Sequence, residues 1–212
     1  MPPLPVPYIP NFQNFVLDDF VVFIVSALLA IMVHAEGQAF AAMALGDTEN
    51  KSDRFHFNAF LHLDIWGSLC FFLAGFGWPR KKEIDADRFE HPRLYGFLAR
   101  LGGPAANFLL ASIAGSIVWL MTIYGQEDRV FTMVVIVNAT VAVYSLLPIP
   151  PLAGFAVLPV FFPEKNPFMR YFRVIGPFLL LAVFFLERMT GLHPVSSWLD
   201  PPVRFLFHYI VR

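Results

Sequence analysis

Charge is what this chain has least of. Lys, Arg, Asp and Glu make up 15% of its 212 residues, against about a quarter in an ordinary soluble domain. A single cysteine, Cys70, excludes an internal disulfide and any metal site built on several thiolates. The net charge of −1 comes with no basic aromatic stripe, so nucleic acid is not an expected partner. Gly-rich phosphate loops, Ser/His/Asp nucleophile patterns, CxxC pairs and internal repeats are absent. No basic segment precedes the first apolar run, so no cleavable signal peptide is expected. Hydrophobic residues, by contrast, make up 57% of the chain, with twenty-five Phe set in uncharged runs. The expectation is an all-α integral membrane protein whose first partner is the lipid bilayer.

Residues 1–15 hold five prolines, which lack a backbone donor and fix φ, and they read as an extended arm. A membrane domain is expected over 16–190, followed by an interfacial C-terminal tail over 191–212. Within the domain, 17–45, about 101–123, about 130–147 and about 172–188 have room for four membrane helices. The apolar run 65–78 holds three glycines and is short for a span, which suits a re-entrant segment. Residues 47–57 turn polar and then alternate, consistent with a short membrane-associated β-hairpin. The tail carries Pro201-Pro202, and after them an aromatic helix expected to lie on the membrane.

Lys and Arg are missing before residue 51, frequent over 51–100, single at 129 and present again at 165, 170 and 173. The positive-inside rule then places the basic loops in the cytoplasm and the N-terminus outside; the membrane expected is a bacterial inner (plasma) membrane. The run from Arg80 to Arg93 reads as a solvated loop beside anionic headgroups.

One polar cluster interrupts the first span: His34-Ala35-Glu36-Gly37-Gln38. Ionisable groups at membrane depth are costly, and they mark functional sites by default. The spacing is a damaged form of His-Glu-x-x-His, in which two ligands at i and i+4 share a helix face and the Glu is the general base. Glu36 is displaced from that base position. At about 100° per residue it lies about 200° round the helix from His34, so it points away from anything His34 holds.

Further landmarks follow in order. They are Asn58-Ala59-Phe60-Leu61-His62-Leu63-Asp64, Phe76-Gly77-Trp78, Gly103-Pro104-Ala105-Ala106-Asn107, and Ser145-Leu146-Leu147-Pro148-Ile149-Pro150-Pro151-Leu152-Ala153-Gly154. Together with residues 34–47 they resemble the site-2 protease family of intramembrane zinc metalloproteases over roughly residues 30–160. The resemblance implies a site-2-protease-like core and a metal site inside the membrane. In the family the metal is held by two His of the first motif and the Asp of the last. Here those positions are His34, Gln38 and Ala153, and the base position is Ala35. The resemblance therefore implies a degenerate site, with no catalytic residue and no metal ligand set left. Catalytic zinc needs three protein ligands and an open position, and Ala supplies nothing.

His34 is then expected to be a hydrogen-bonded plug in the bundle, and Glu36 to be neutral, facing water, or paired with a partner such as Arg54 or a subunit contact. His56, His62 and Asp64 form a second candidate cluster, although the resemblance assigns His62 and Asp64 to the fold pattern. Gly103-Pro104 reads as a tight start to a helix, and Asn107 as an interhelical hydrogen-bonding group. Asn107, Ser145, Pro148 and Pro150 are the candidates for lining a former substrate groove. Two functions follow. One is a non-catalytic scaffold or accessory subunit that binds a transmembrane partner or a larger membrane complex without a cofactor. The other is an active, divergent zinc protease. A haem-bearing reading with His34 as axial ligand lacks a second His in a clear span.

Overall fold

The computed structural model describes residues 3–47, 56–82, 84–162 and 166–211. Seven α-helices lie among these residues: α1 Leu17–Ala44, α2 Ile65–Ala74, α3 Pro92–Ile123, α4 Val130–Tyr144, the single-turn α5 Leu158–Phe161, α6 Pro167–Thr190 and α7 Ser196–Val211. No strand occurs among the described residues beyond one isolated antiparallel bridge, Leu63 to Pro79. Most of the hairpin expected over 47–57 falls outside the described residues.

Three helices, α1, α3 and α6, are long and apolar enough to cross a membrane. The 28 residues of α1 reach about 42 Å at 1.5 Å per residue, beyond the roughly 30 Å of a hydrocarbon core. Asp18 and Asp19 in its first turn complement the positive end of the helix dipole. The 15 residues of α4 make it shorter, and the chain turns away just before Pro148, which has no N–H to continue the helix.

Two expectations about helix limits are corrected. The third helix begins at Pro92, not near residue 101, so Gly103-Pro104 lies inside it and does not start it. Pro92 suits the first helical turn, where its missing N–H costs nothing. The two turns that follow, which carry Arg93 and Arg100, are held by tertiary contacts: Ala99 is buried beside Ala42 and Phe89. Likewise α7 begins at Ser196 and runs through Pro201-Pro202. It packs on the bundle, with Val203 fully buried and Tyr144 donating to Asp200 at 2.5 Å.

The two ends of the 63–79 stretch meet, joined by the Leu63–Pro79 bridge. Asp64 caps α2 by accepting from the Gly67 N–H at 2.8 Å, and it accepts from Trp78 Nε1 at 3.0 Å. Gly75 ends the helix with φ +72°, in the left-handed region that favours glycine. The Arg80 N–H then donates to the His62 carbonyl at 2.7 Å, closing the loop on its own start. At its turn, Phe76 is fully buried between Tyr144 and Phe184, with ring centroids 4.6 and 5.2 Å away. The N-terminal arm lies along this core, where Tyr8 packs on Phe23 and Arg188 donates to the Pro10 carbonyl.

Polar contacts mark the two ends of the bundle. Arg129 donates twice to Asp19, at 2.8 and 2.7 Å, tying the start of α1 to the 124–130 loop. At the other end of α1, buried Asp47 accepts from Arg88 at 3.1 Å.

Candidate functional site

The site is built where α1 crosses α3. Gly37 and Gly102 face each other so closely that a Cβ on either would strike the other's backbone carbonyl. A Cβ on Gly103 would strike the His34 ring. Small residues at this crossing let two backbones meet, and they leave an imidazole-sized slot between them.

Within that slot a chain of hydrogen bonds runs in one direction. Arg100 donates through one guanidinium nitrogen to Gln38 Oε1 at 2.9 Å and through another to the Lys82 carbonyl at 2.8 Å. Gln38 Nε2 lies 3.1 Å from His34 Nε2, and His34 Nδ1 lies 2.7 Å from Asn107 Oδ1. Asn107 Nδ2 donates to the Ala30 carbonyl and to Asn138 Oδ1, both at 2.9 Å. Asn138 in turn donates to the Val134 carbonyl at 2.9 Å. Because Gln38 Oε1 accepts from Arg100, its amide N–H must be the donor to His34. His34 Nε2 is then the acceptor, and the ring proton sits on Nδ1, facing Asn107. Buried polar groups are paired all along this chain.

Glu36 belongs to a different cluster on the other side of α1. Its Oε1 is 2.9 Å from His62 Nε2 and 3.4 Å from Lys82 Nζ, and it accepts from the His56 N–H at 3.1 Å. Its Oε2 is buried and has no hydrogen-bond partner among the described residues. Arg54, the partner expected from the sequence, lies outside the described residues.

The three positions at which the family holds its metal do converge. His34, Gln38 and Ala153 all line one cavity of about 710 Å³, together with Ser145 and Pro150. Asn107 lies beneath His34 with all its polar atoms engaged inside the bundle. Ala35 is fully buried and Pro148 exposed, and neither is on the cavity wall.

This donor set does not fit a zinc ion. Both His34 nitrogens are engaged, Gln38 Oε1 carries a guanidinium, and Ala153 has no donor. Among the described residues no group of three or more His, Cys, Asp or Glu is placed to hold a metal. The second candidate cluster is not assembled either. Asp64 caps α2 and binds Trp78, while His62 turns to Glu36 and to the His56 carbonyl.

Sequence reasoning missed Arg100, Lys82 and Asn138 as members of these clusters. Asn138 carried a readable signal, an amide alone in an uncharged helix, since such groups seek partners across helices. Arg100 and Lys82 carried none, because their partners are 62 and 46 positions away in the chain.

Three helices of membrane-spanning length and apolarity, packed round a polar cavity, are consistent with an α-helical membrane protein. The comparison with known proteins narrows this. The chain is 32% identical over 145 residues to a Bacillus subtilis (strain 168) protein named "Putative zinc metalloprotease YwhC". The match covers 64% of this chain and 66% of that protein, just under two thirds of its length. No protein-family model matches the chain, and no solved structure does. The similarity supports a site-2-protease-like metalloprotease family for this chain.

Proposed function

We propose that the chain is a non-catalytic member of that family, a scaffold or accessory subunit that holds a transmembrane partner in its former substrate cleft. The observation that carries the reading is the closed chain Arg100, Gln38, His34, Asn107, which uses the atoms a metal would need. Without a metal and a placed base, water is not activated at neutral pH. Ser145 and Pro150 on the cavity wall support a retained cleft, while Pro148 and Asn107 do not line it.

The same reading takes 16–190 as the membrane domain, with 1–15 as an arm and 191–212 as an interfacial tail. The closure of 63–79 on itself supports a re-entrant segment. The Asp19–Arg129 pair supports a common, external side for the N-terminus and the 124–130 loop, with the basic loops in the cytoplasm of a bacterial inner membrane.

Co-purification from native membranes tests this reading. A stoichiometric membrane-protein partner is expected, and a chain that always purifies alone would overturn the subunit role. Metal analysis tests it independently. Zinc below about a tenth of an equivalent is expected, since three protein ligands are the usual minimum for a catalytic site.

The name of the 32% identical relative favours a second reading, a divergent zinc protease. In that case the purified protein would hold stoichiometric zinc and lose it on His34→Ala. A triple variant, Ala35→Glu with Gln38→His and Ala153→Asp, sharpens the choice. It is expected to bind little zinc until Arg100→Gln is added, because the guanidinium opposes a second cation beside it.

A further inference from the structure

The cavity that holds the degenerate motif is strongly one-sided in charge. Arg80, Lys81, Arg93, Arg100 and Arg173 line it, with Asp87 as the one acidic lining residue among those described. The whole chain has fifteen Lys and Arg, so a third of its cations surround one cleft. Like charges at such density repel, and a low-dielectric cleft focuses their field onto its contents.

Two of these cations are held in place on facing elements. Arg100 is fixed at the cavity floor by Gln38 and the Lys82 carbonyl. Arg173 of α6 lies over the Phe155 ring, 5.6 Å from its centroid. Arg80, Lys81 and Arg93 are exposed and form the rim. Gln38 thus does more than remove a metal ligand: its amide oxygen recruits a guanidinium, and the cavity keeps a fixed positive charge.

We propose that this cavity binds a compact phosphate-bearing anion, a soluble phosphoester or the headgroup of an anionic lipid. Four of the five cations are Arg, whose planar fork matches phosphate oxygens two at a time. The volume of about 710 Å³ suits an organic phosphate, since small-molecule sites run from about 300 to 1,000 Å³. A doubly or triply charged phosphate concentrates its charge as the cations do. An acidic peptide spreads single charges over separate side chains, and it is the competing occupant. The proposal shares its cavity with the scaffold reading but needs no protein partner, so either can fail alone.

The test uses the full chain in phosphatidylcholine nanodiscs with a chelator present, so that no bound metal supplies affinity. Inorganic pyrophosphate is titrated by calorimetry, and phosphatidylglycerol retention is read by mass spectrometry of the purified protein. Saturable pyrophosphate binding is expected, weakened by about tenfold in Arg100→Gln, a loss of about 1.4 kcal/mol. The exposed Arg93→Gln and Arg173→Gln variants are expected to weaken it less and to fold normally, so a fold defect in Arg100→Gln does not decide the question. Binding unaffected by phosphatidylglycerol in the disc assigns the site to a soluble phosphoester. Binding that phosphatidylglycerol abolishes, with lipid retention lost in Arg93→Gln, assigns it to a headgroup. Three results would overturn the proposal: neither pyrophosphate binding nor lipid retention, binding untouched by all three substitutions, or saturable binding of a poly-glutamate peptide alone.

Discussion

The two polar clusters of α1 are separated by two residues and differ in kind. On one side His34 and Gln38 join a relay of amides that ends on a backbone carbonyl, and every member has a partner. On the other, Glu36 gathers His62, Lys82 and the His56 N–H onto one oxygen and leaves the other without a hydrogen bond among the described residues. Helix geometry separates them, since two residues turn the side chain through about 200°. The difference shows that polar residues close together in a membrane helix need not form one site. The neutral relay locks α1 to α3 and α4, whereas the ionic cluster pins α1 to the loops that flank α2.

The largest effect is expected where a charge would be stranded. Glu36→Ala leaves Lys82 beside a buried cavity, its side chain only 11% exposed. It should cost about 3 kcal/mol, in line with breaking one partner of a buried pair. Denaturant titration in detergent measures this. The neutral relay should respond less strongly. Asn107→Ala leaves His34 Nδ1, Asn138 Oδ1 and the Ala30 carbonyl without their bonds, for a loss of about 2 kcal/mol in the same assay. A loss larger than that of Glu36→Ala would reverse the ranking of the clusters.

At the open end of the relay, Arg100→Gln should cost about 1 kcal/mol, because the guanidinium is only partly buried and water can replace its bond to Gln38. The smallest change is expected from Glu36→Gln combined with Lys82→Met. Removing both charges together should leave stability within about 1 kcal/mol of the wild type. If the double variant fell as far as Glu36→Ala, the cluster would owe its strength to shape and not to charge.

Much of the architecture was legible because a membrane helix is written locally. Apolar runs marked α1, α4 and α6, and the polar His34-Ala35-Glu36-Gly37-Gln38 stretch marked the part of α1 whose His34 and Gln38 line the cavity. The start of α3 was not legible: its first nine residues carry Arg93 and Arg100 and so fall outside the uncharged run, and they are helical because Pro92 opens the turn and Ala99 is buried. The prolines of α7 read as a break for the same reason, since nothing local reveals that Val203 is buried.

The donors at positions 38 and 153 were readable from the chain alone, because they are a property of side-chain chemistry: Gln38 is a neutral amide and Ala153 has no polar side-chain atom. The chain alone also determined that Glu36 would face away from His34, because helix periodicity settles direction. The partners that Gln38 and Glu36 take came from the tertiary structure. Arg100 reaches Gln38 across 62 residues of chain, and Lys82 reaches Glu36 across 46. Those contacts depend on how closely α1 and α3 cross at Gly37 and Gly102, a distance set by packing and not by any local pattern.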